Sequence, residues 1–88
     1  MKPIRRTFDT TGIKLLPIDA YADRGVSINV IAGAATVEST ISDFNVPDVT
    51  VAPFEAVTLP GKVDYAITGF IVTVTGAPCV VEVAQHGT

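Results

Sequence analysis

The stretch "VDYAITGFIVTVTGAPCVVEVAQ" (residues 63–85) constrains this chain more than any other. Val, Ile and Thr dominate it, and β-branched side chains favour the pleated, half-buried surface of a strand over a helix. Phe70, Val72 and Val74 fall on one face, with Ile71, Thr73 and Thr75 on the other. Beyond "TGAP" the alternation resumes, Cys79, Val81 and Val83 against Val80, Glu82 and Ala84. The pattern predicts two strands joined by a turn at residues 75–78, with one face in the core. The reverse face mixes Thr and Glu with Ile71, Val80 and Ala84, a composition that suits either solvent or partial cover by a neighbour.

The same period of two recurs earlier. "VSINVIA" (26–32) sets Val26, Ile28, Val30 and Ala32 opposite Ser27, Asn29 and Ile31. "TVESTI" then sets Val37, Ser39 and Ile41 opposite Thr36, Glu38 and Thr40. Gly33-Ala34 between them predicts a tight hairpin, because glycine accepts the positive φ such a turn requires. "GIKLLPIDAY" reads as a strand interrupted at Pro17, residues 42–48 as a loop, and residues 49–59 as one or two short strands broken by Pro53. "LPGK" (59–62) reads as a turn. No segment sustains a 3.6-residue period, so little helix is expected. The expectation is an all-β fold, a small antiparallel β-sandwich or jelly-roll-like arrangement of seven or eight short strands. Residues 1–12 form an extended N-terminal arm in this reading, and residues 13–88 a single sandwich domain.

Eighty-eight residues support one core at most. A chain of this size buries only about 60–65% of its unfolded surface, so cross-links or partners often add stability. Cys79 is the only cysteine, which excludes an internal disulfide and a cysteine-based zinc site. No apolar run reaches the roughly 18 residues of a spanning helix. The basic start "MKPIRRTF" is not followed by the apolar segment of a secretory signal. The net charge of −3 argues against nucleic acid as a partner. Charge is uneven, however: residues 1–24 carry five basic and three acidic side chains, whereas residues 25–88 carry Lys62 against six acids. A slightly basic arm therefore precedes an acidic body. Its cations could reach an acidic protein neighbour, or simply mark a solvated terminus.

Reactive constellations are sparse. Cys79 and His86 lie seven residues apart, about 23 Å along a strand at roughly 3.3 Å per residue, and on opposite faces. A small core residue is the better reading of Cys79. Asp9, Asp19, Asp23, Asp43, Asp48 and Asp64 mostly neighbour turn-forming residues, where Asp caps turns. Asp43 and Asp48 flank "FNVP" without the dense acid spacing of a calcium loop. Glycan binding by a sandwich normally uses exposed flat aromatics. This chain has no Trp, and only Tyr21 and Tyr65 combine a ring with a polar tip. The glycines sit singly, with no phosphate-binding loop. Neither catalysis nor a cofactor is expected.

In order and pattern, the chain resembles a class of very small structural proteins of tailed-bacteriophage virions. The resemblance rests on "IKLLPIDAYADRGVSINVIA", on the Thr/Val alternation of "VIAGAATVESTISDFN", and on the ending "LPGKVDYAITGFIVTVTGAPCVVEVAQHG". It covers roughly residues 13–87 and involves no invariant motif. An arginine usual in the "AI" strand is missing from "AITGF" here. The resemblance implies a non-enzymatic virion component, foremost a capsid decoration or cement protein, clustering as a homotrimer over joints of the major capsid protein. A tail, collar or fibre component is the alternative it leaves, and a glycan-binding module is a second. On the decoration reading, the N-terminal arm lies across capsid subunits. Lys2, Arg5 and Arg6 would meet carboxylates there, and Ile4 and Phe8 would be buried against the shell.

Overall fold

The computed structural model describes residues 4–18, 25–42, 51–65 and 67–85. Within them the chain is all-β: β1 (Ile4–Phe8), β2 (Gly12–Pro17), β3 (Val26–Thr40), β4 (Glu55–Val57), β5 (Gly61–Val63) and β6 (Gly69–Gln85). All six belong to one antiparallel sheet. Two of them are unusually long, 15 residues in β3 and 17 in β6, and they pair with each other over nearly their whole length.

This corrects the two expected hairpins. Neither Gly33-Ala34 nor "TGAP" turns the chain back; each lies inside a continuous strand, and the two sites face each other. The β3–β6 register shifts three times between Val30 and Ala35. Such irregularities bend a strand and change which face its side chains occupy. The buried residues of β3 are even-numbered before the bend (Val26, Ile28) and begin odd-numbered after it (Val37, Ser39), with Thr40 buried as well at the strand's end. Those of β6 switch from Phe70, Val72 and Val74 to Cys79, Val81 and Val83. The alternation inferred for Val26/Ile28, Val37/Ser39, Phe70/Val72/Val74 and Cys79/Val81/Val83 therefore matches the buried side, whereas Ile41, grouped with Val37 and Ser39, is exposed beyond the end of β3 and Thr40 is buried.

The corner folds the sheet into two leaves. In the first, β1 pairs with Cys79–Val83 of β6, that segment pairs with the start of β3, and β5 pairs with Val26–Ile28. In the second, β2 pairs with Gly69–Val74 of β6, that segment pairs with Ala35–Thr40 of β3, and β4 pairs with Val37–Ser39. A short connection at residues 9–11 carries the chain from one leaf to the other on one side, and residues 58–60 do so on the opposite side. One core cluster draws on both leaves: Val26, Ile28, Val81 and Val83 from the first, Leu16, Val37, Phe70 and Val72 from the second. Two facing layers thus arise from one folded sheet, within the all-β antiparallel class expected. Each fully buried Val, Ile or Phe contributes about 1.5–3 kcal/mol to closing it.

Polar pairing fixes the open end of the second leaf. Ser39 is fully buried; its hydroxyl lies 2.9 Å from the Tyr65 hydroxyl and 3.2 Å from the Glu55 carbonyl oxygen. Thr40, also fully buried, donates to the Ala52 carbonyl at 2.7 Å. Thr68 donates to the carbonyls of Ser42 and Thr40. These bonds hold residues 51–55, Tyr65 and Thr68 against the end of β3. Tyr65→Phe removes one partner of Ser39 while leaving the Glu55 carbonyl available. It is expected to lower unfolding free energy by about 0.5–1.5 kcal/mol in denaturant titration.

Residues 4–8 of the expected N-terminal arm are extended, but they do not stand away from the body. Ile4–Phe8 is an edge strand of the protein's own sheet, in register from Ile4 opposite Val83 to Phe8 opposite Cys79. Pairing places Ile4, Arg6 and Phe8 on the core-facing side and Arg5 and Thr7 outward. β5 has no counterpart in the sequence reading, where its residues fell partly in a turn.

Candidate docking face on the second leaf

The outer faces of the two leaves differ in chemistry. Across the first leaf, Arg5, Glu82 and Asn29 form a row over β1, β6 and β3. Arg5 donates to one Glu82 carboxylate oxygen from Nε at 3.1 Å and from Nη2 at 2.8 Å. Lys62 on β5 pairs with Asp64 at 3.1 Å. A depression of about 480 Å³ lies among Ser27, Asn29, Pro60, Lys62 and Glu82. Both charges at its edge are already engaged, Glu82 by Arg5 and Lys62 by Asp64, as expected of a solvated sheet face.

The second leaf presents the opposite chemistry. Its outward rows are Leu15–Ile71–Glu38–Ala56 and Ile13–Thr73–Thr36. Ile13 is 71% exposed and Leu15 46% exposed, although both lie in a regular strand. Ile71 beneath them is buried. Residues 51–53 border this face, so that Val51 and Pro53 join Ile13, Leu15 and Ile71 around a depression of about 400 Å³. Scattered exposed apolar side chains are ordinary; contiguous ones on a sheet face mark an interaction surface. Glu38 is the only charge in these rows. It is half-buried and has neither a hydrogen bond nor an ion pair among the described residues.

The sheet edges offer less to a partner. β1 carries Arg5 and Arg6, and β4 and β5 have three residues each. In β2, Lys14 lies on the inward side opposite Val72, and Pro17 ends the strand. Charges, inward-pointing lysine, proline and brevity each discourage strand addition. Contact with another protein is therefore better served by the face than by the edges.

The residues proposed for an arm contact separate on this framework. Lys2 lies outside the described residues. Arg5 is engaged by Glu82 of its own sheet. Ile4 is half-buried opposite Val83, and Phe8 packs against the protein's own core, so Phe8 anchors its strand rather than a bridge to a neighbour. Arg6 alone is exposed with neither a hydrogen bond nor an ion pair among the described residues. Ile13 and Leu15 were not singled out from sequence. Their spacing placed them on one strand face, but only the pairing of β2 with β6 shows that this face points outward.

Of the Cys, His and Asp candidates, Cys79, Asp9 and Asp64 lie among the described residues. Cys79 is fully buried, and burial pushes its thiol above the usual range. Its thiolate is disfavoured at neutral pH, which leaves it a poor nucleophile. A thiol reagent is expected to label it only as fast as the protein opens, with labelling accelerating sharply in denaturant. Labelling of the native protein at the rate of a free thiol would refute this placement. His86, Asp19, Asp23, Asp43 and Asp48 lie outside the described residues, as does the calcium loop considered between the last two. Asp9 is exposed in the β1–β2 turn, and Asp64 is paired with Lys62. Among the described residues, no three His, Cys, Asp or Glu side chains are grouped to hold a metal ion.

No family model, curated protein or solved structure matches the chain.

Proposed function

We propose that this chain is a non-enzymatic structural protein of a tailed-bacteriophage virion, a decoration or cement subunit held on the capsid by the outer face of its second leaf. The supporting observation is the contrast between the leaves: one outer face is polar and internally ion-paired, the other exposes Ile13 and Leu15 around a buried Ile71. On this reading the polar leaf faces solvent and the apolar leaf faces protein. A site that exists only where capsid subunits meet would be occupied only on the assembled shell. Binding there would stabilise the shell by mass action, because the separate subunits lack the site. Many copies would add up even where each contact is weak.

The reading places the contact on β2 and the 51–53 segment instead of an arm. It predicts that the double variant Ile13→Ser, Leu15→Ser folds with its denaturation midpoint nearly unchanged, since both side chains are already exposed. The same variant is expected to lose at least about 90% of its occupancy on particles, corresponding to roughly 1.4 kcal/mol or more of lost contact. Quantitative protein analysis of purified particles measures this directly. Undiminished occupancy would refute docking through this face. Copy number separates a decoration subunit, present over the whole shell, from a tail, collar or fibre component confined to one vertex.

A further inference from the structure

One carboxylate sits in the middle of the apolar leaf. Glu38 lies on β3, an inner strand, between Ile71 of β6 and Ala56 of β4. It borders two depressions at once. One is the depression framed by Ile13, Leu15 and Ile71; the other, of about 530 Å³, lies along Ala56, Val57 and Leu59. Among the described residues, Glu38 is the only ionisable group bordering either. It is half-buried already and has neither a hydrogen bond nor an ion pair among those residues. A partner that covers the apolar side chains on both sides of it strips away its remaining water. A carboxylate covered in this way is strongly unfavourable unless it is paired.

The described cations of the chain itself do not supply the pairing charge. Arg5 and Lys62 belong to the first leaf and are held by Glu82 and Asp64. Arg6 also belongs to the first leaf, on β1. Lys14 lies on the opposite side of β2 and donates to Thr10 at 2.7 Å. From this charge requirement we infer that the capsid surface covering the second leaf presents one basic side chain, arginine or lysine, which pairs with Glu38 at the centre of the contact. This inference rests on the docking face of the proposed function and adds the chemistry of the partner. Both side chains suit the site, because each carries an aliphatic stem that can lie along apolar surface while its head reaches the carboxylate. Arginine adds a planar fork that binds through two hydrogen bonds. Ile13 and Leu15 then give the contact its apolar area, and Glu38 gives it selectivity. Apolar surfaces accept one another broadly, whereas a surface without the cation is rejected by the unpaired carboxylate.

The test is rebinding of the purified full-length chain, as wild type, Glu38→Leu and Glu38→Gln, to particles that lack it. The sign of the Glu38→Leu effect decides. Against a cation, leucine leaves the partner's charge buried and unpaired, and affinity is expected to fall at least about tenfold. Against a purely apolar surface, the same substitution removes a charge that has to be desolvated, and binding tightens. Glu38→Gln, which keeps size and shape, should weaken binding in the same direction as leucine. Both variants are expected to keep the wild-type denaturation midpoint, since neither loses a bond among the described residues. Unchanged or tighter binding of Glu38→Leu, with Ile13→Ser, Leu15→Ser still unable to bind, overturns the inference and leaves the docking face standing. Weakening by Glu38→Leu alone, with Glu38→Gln at wild-type affinity, marks a steric effect and overturns it too. Undiminished binding of Ile13→Ser, Leu15→Ser overturns the docking face and the inference together.

Discussion

Gly33→Ala is expected to lower the melting temperature by roughly 20 °C, and Gly33→Val to prevent folding altogether. Gly33 has φ of 77°, a region where a side chain carries an intrinsic penalty of about 1–2 kcal/mol. Sterics add more. A Cβ at this position would meet the carbonyl oxygens of Pro78 and Gly76 and lie 2.8 Å from the Cα of Cys79. All three are backbone atoms of the facing corner, so nothing can rotate away. Relief requires β3 and β6 to separate where both bend, which loosens the junction of the two leaves. A domain of this size has only about 4–13 kcal/mol of total stability. Gly12 supplies the control. Its φ is 118°, but a Cβ there meets nothing within 4 Å. Gly12→Ala should therefore cost only the conformational penalty, about 1–2 kcal/mol. Thermal melts of the two alanine variants side by side measure the difference. Equal losses would show that the corner does not need the close approach of the two strands.

The contrast between these glycines also shows what the sequence reveals and what it withholds. Alternation is local, so the inward sets Val26/Ile28, Phe70/Val72/Val74 and Cys79/Val81/Val83 are legible from spacing alone. The all-β class follows from the same signal. A break in alternation is ambiguous, because a hairpin and a folded corner both ask for a glycine and both restart the pattern. What distinguishes them is whether the segments on either side pair with each other or with a third strand. That is a long-range property: Gly33 is crowded by residues more than forty positions away. The same limit hid the exposed apolar face of the second leaf. "GIKLLP" shows that Ile13 and Leu15 share a side, but their outward direction follows from Leu16 entering the core opposite Phe70. The arm misled for a related reason. "IRRTF" is charged and lies near the start of the sequence, like a solvated terminus, yet its alternate residues Ile4 and Phe8 fit the free edge left beside β6.

Phe70→Ala is expected to remove about 3–5 kcal/mol of unfolding free energy and to lower the melting temperature by at least 12 °C or so. Phe70 is fully buried, lies between Leu16 of β2 and Ser39 of β3, and is the largest of the completely enclosed side chains. Its truncation would leave a hole in a core cluster made mostly of valines, which are β-branched and stiff. The loss should thus include a cavity penalty beyond the transfer of the ring. Urea unfolding at fixed temperature measures it, with an unchanged slope showing that the native sheet persists. Phe70 lies on the inward side of β6 and Ile71 on the outward side, so one strand serves both the core and the proposed docking face. At temperatures where both variants remain folded, Phe70→Ala should keep particle occupancy at reduced stability. Ile13→Ser, Leu15→Ser should keep stability at reduced occupancy. Parallel loss of occupancy in both would mean that docking depends on the rigidity of the second leaf and not on its exposed side chains alone.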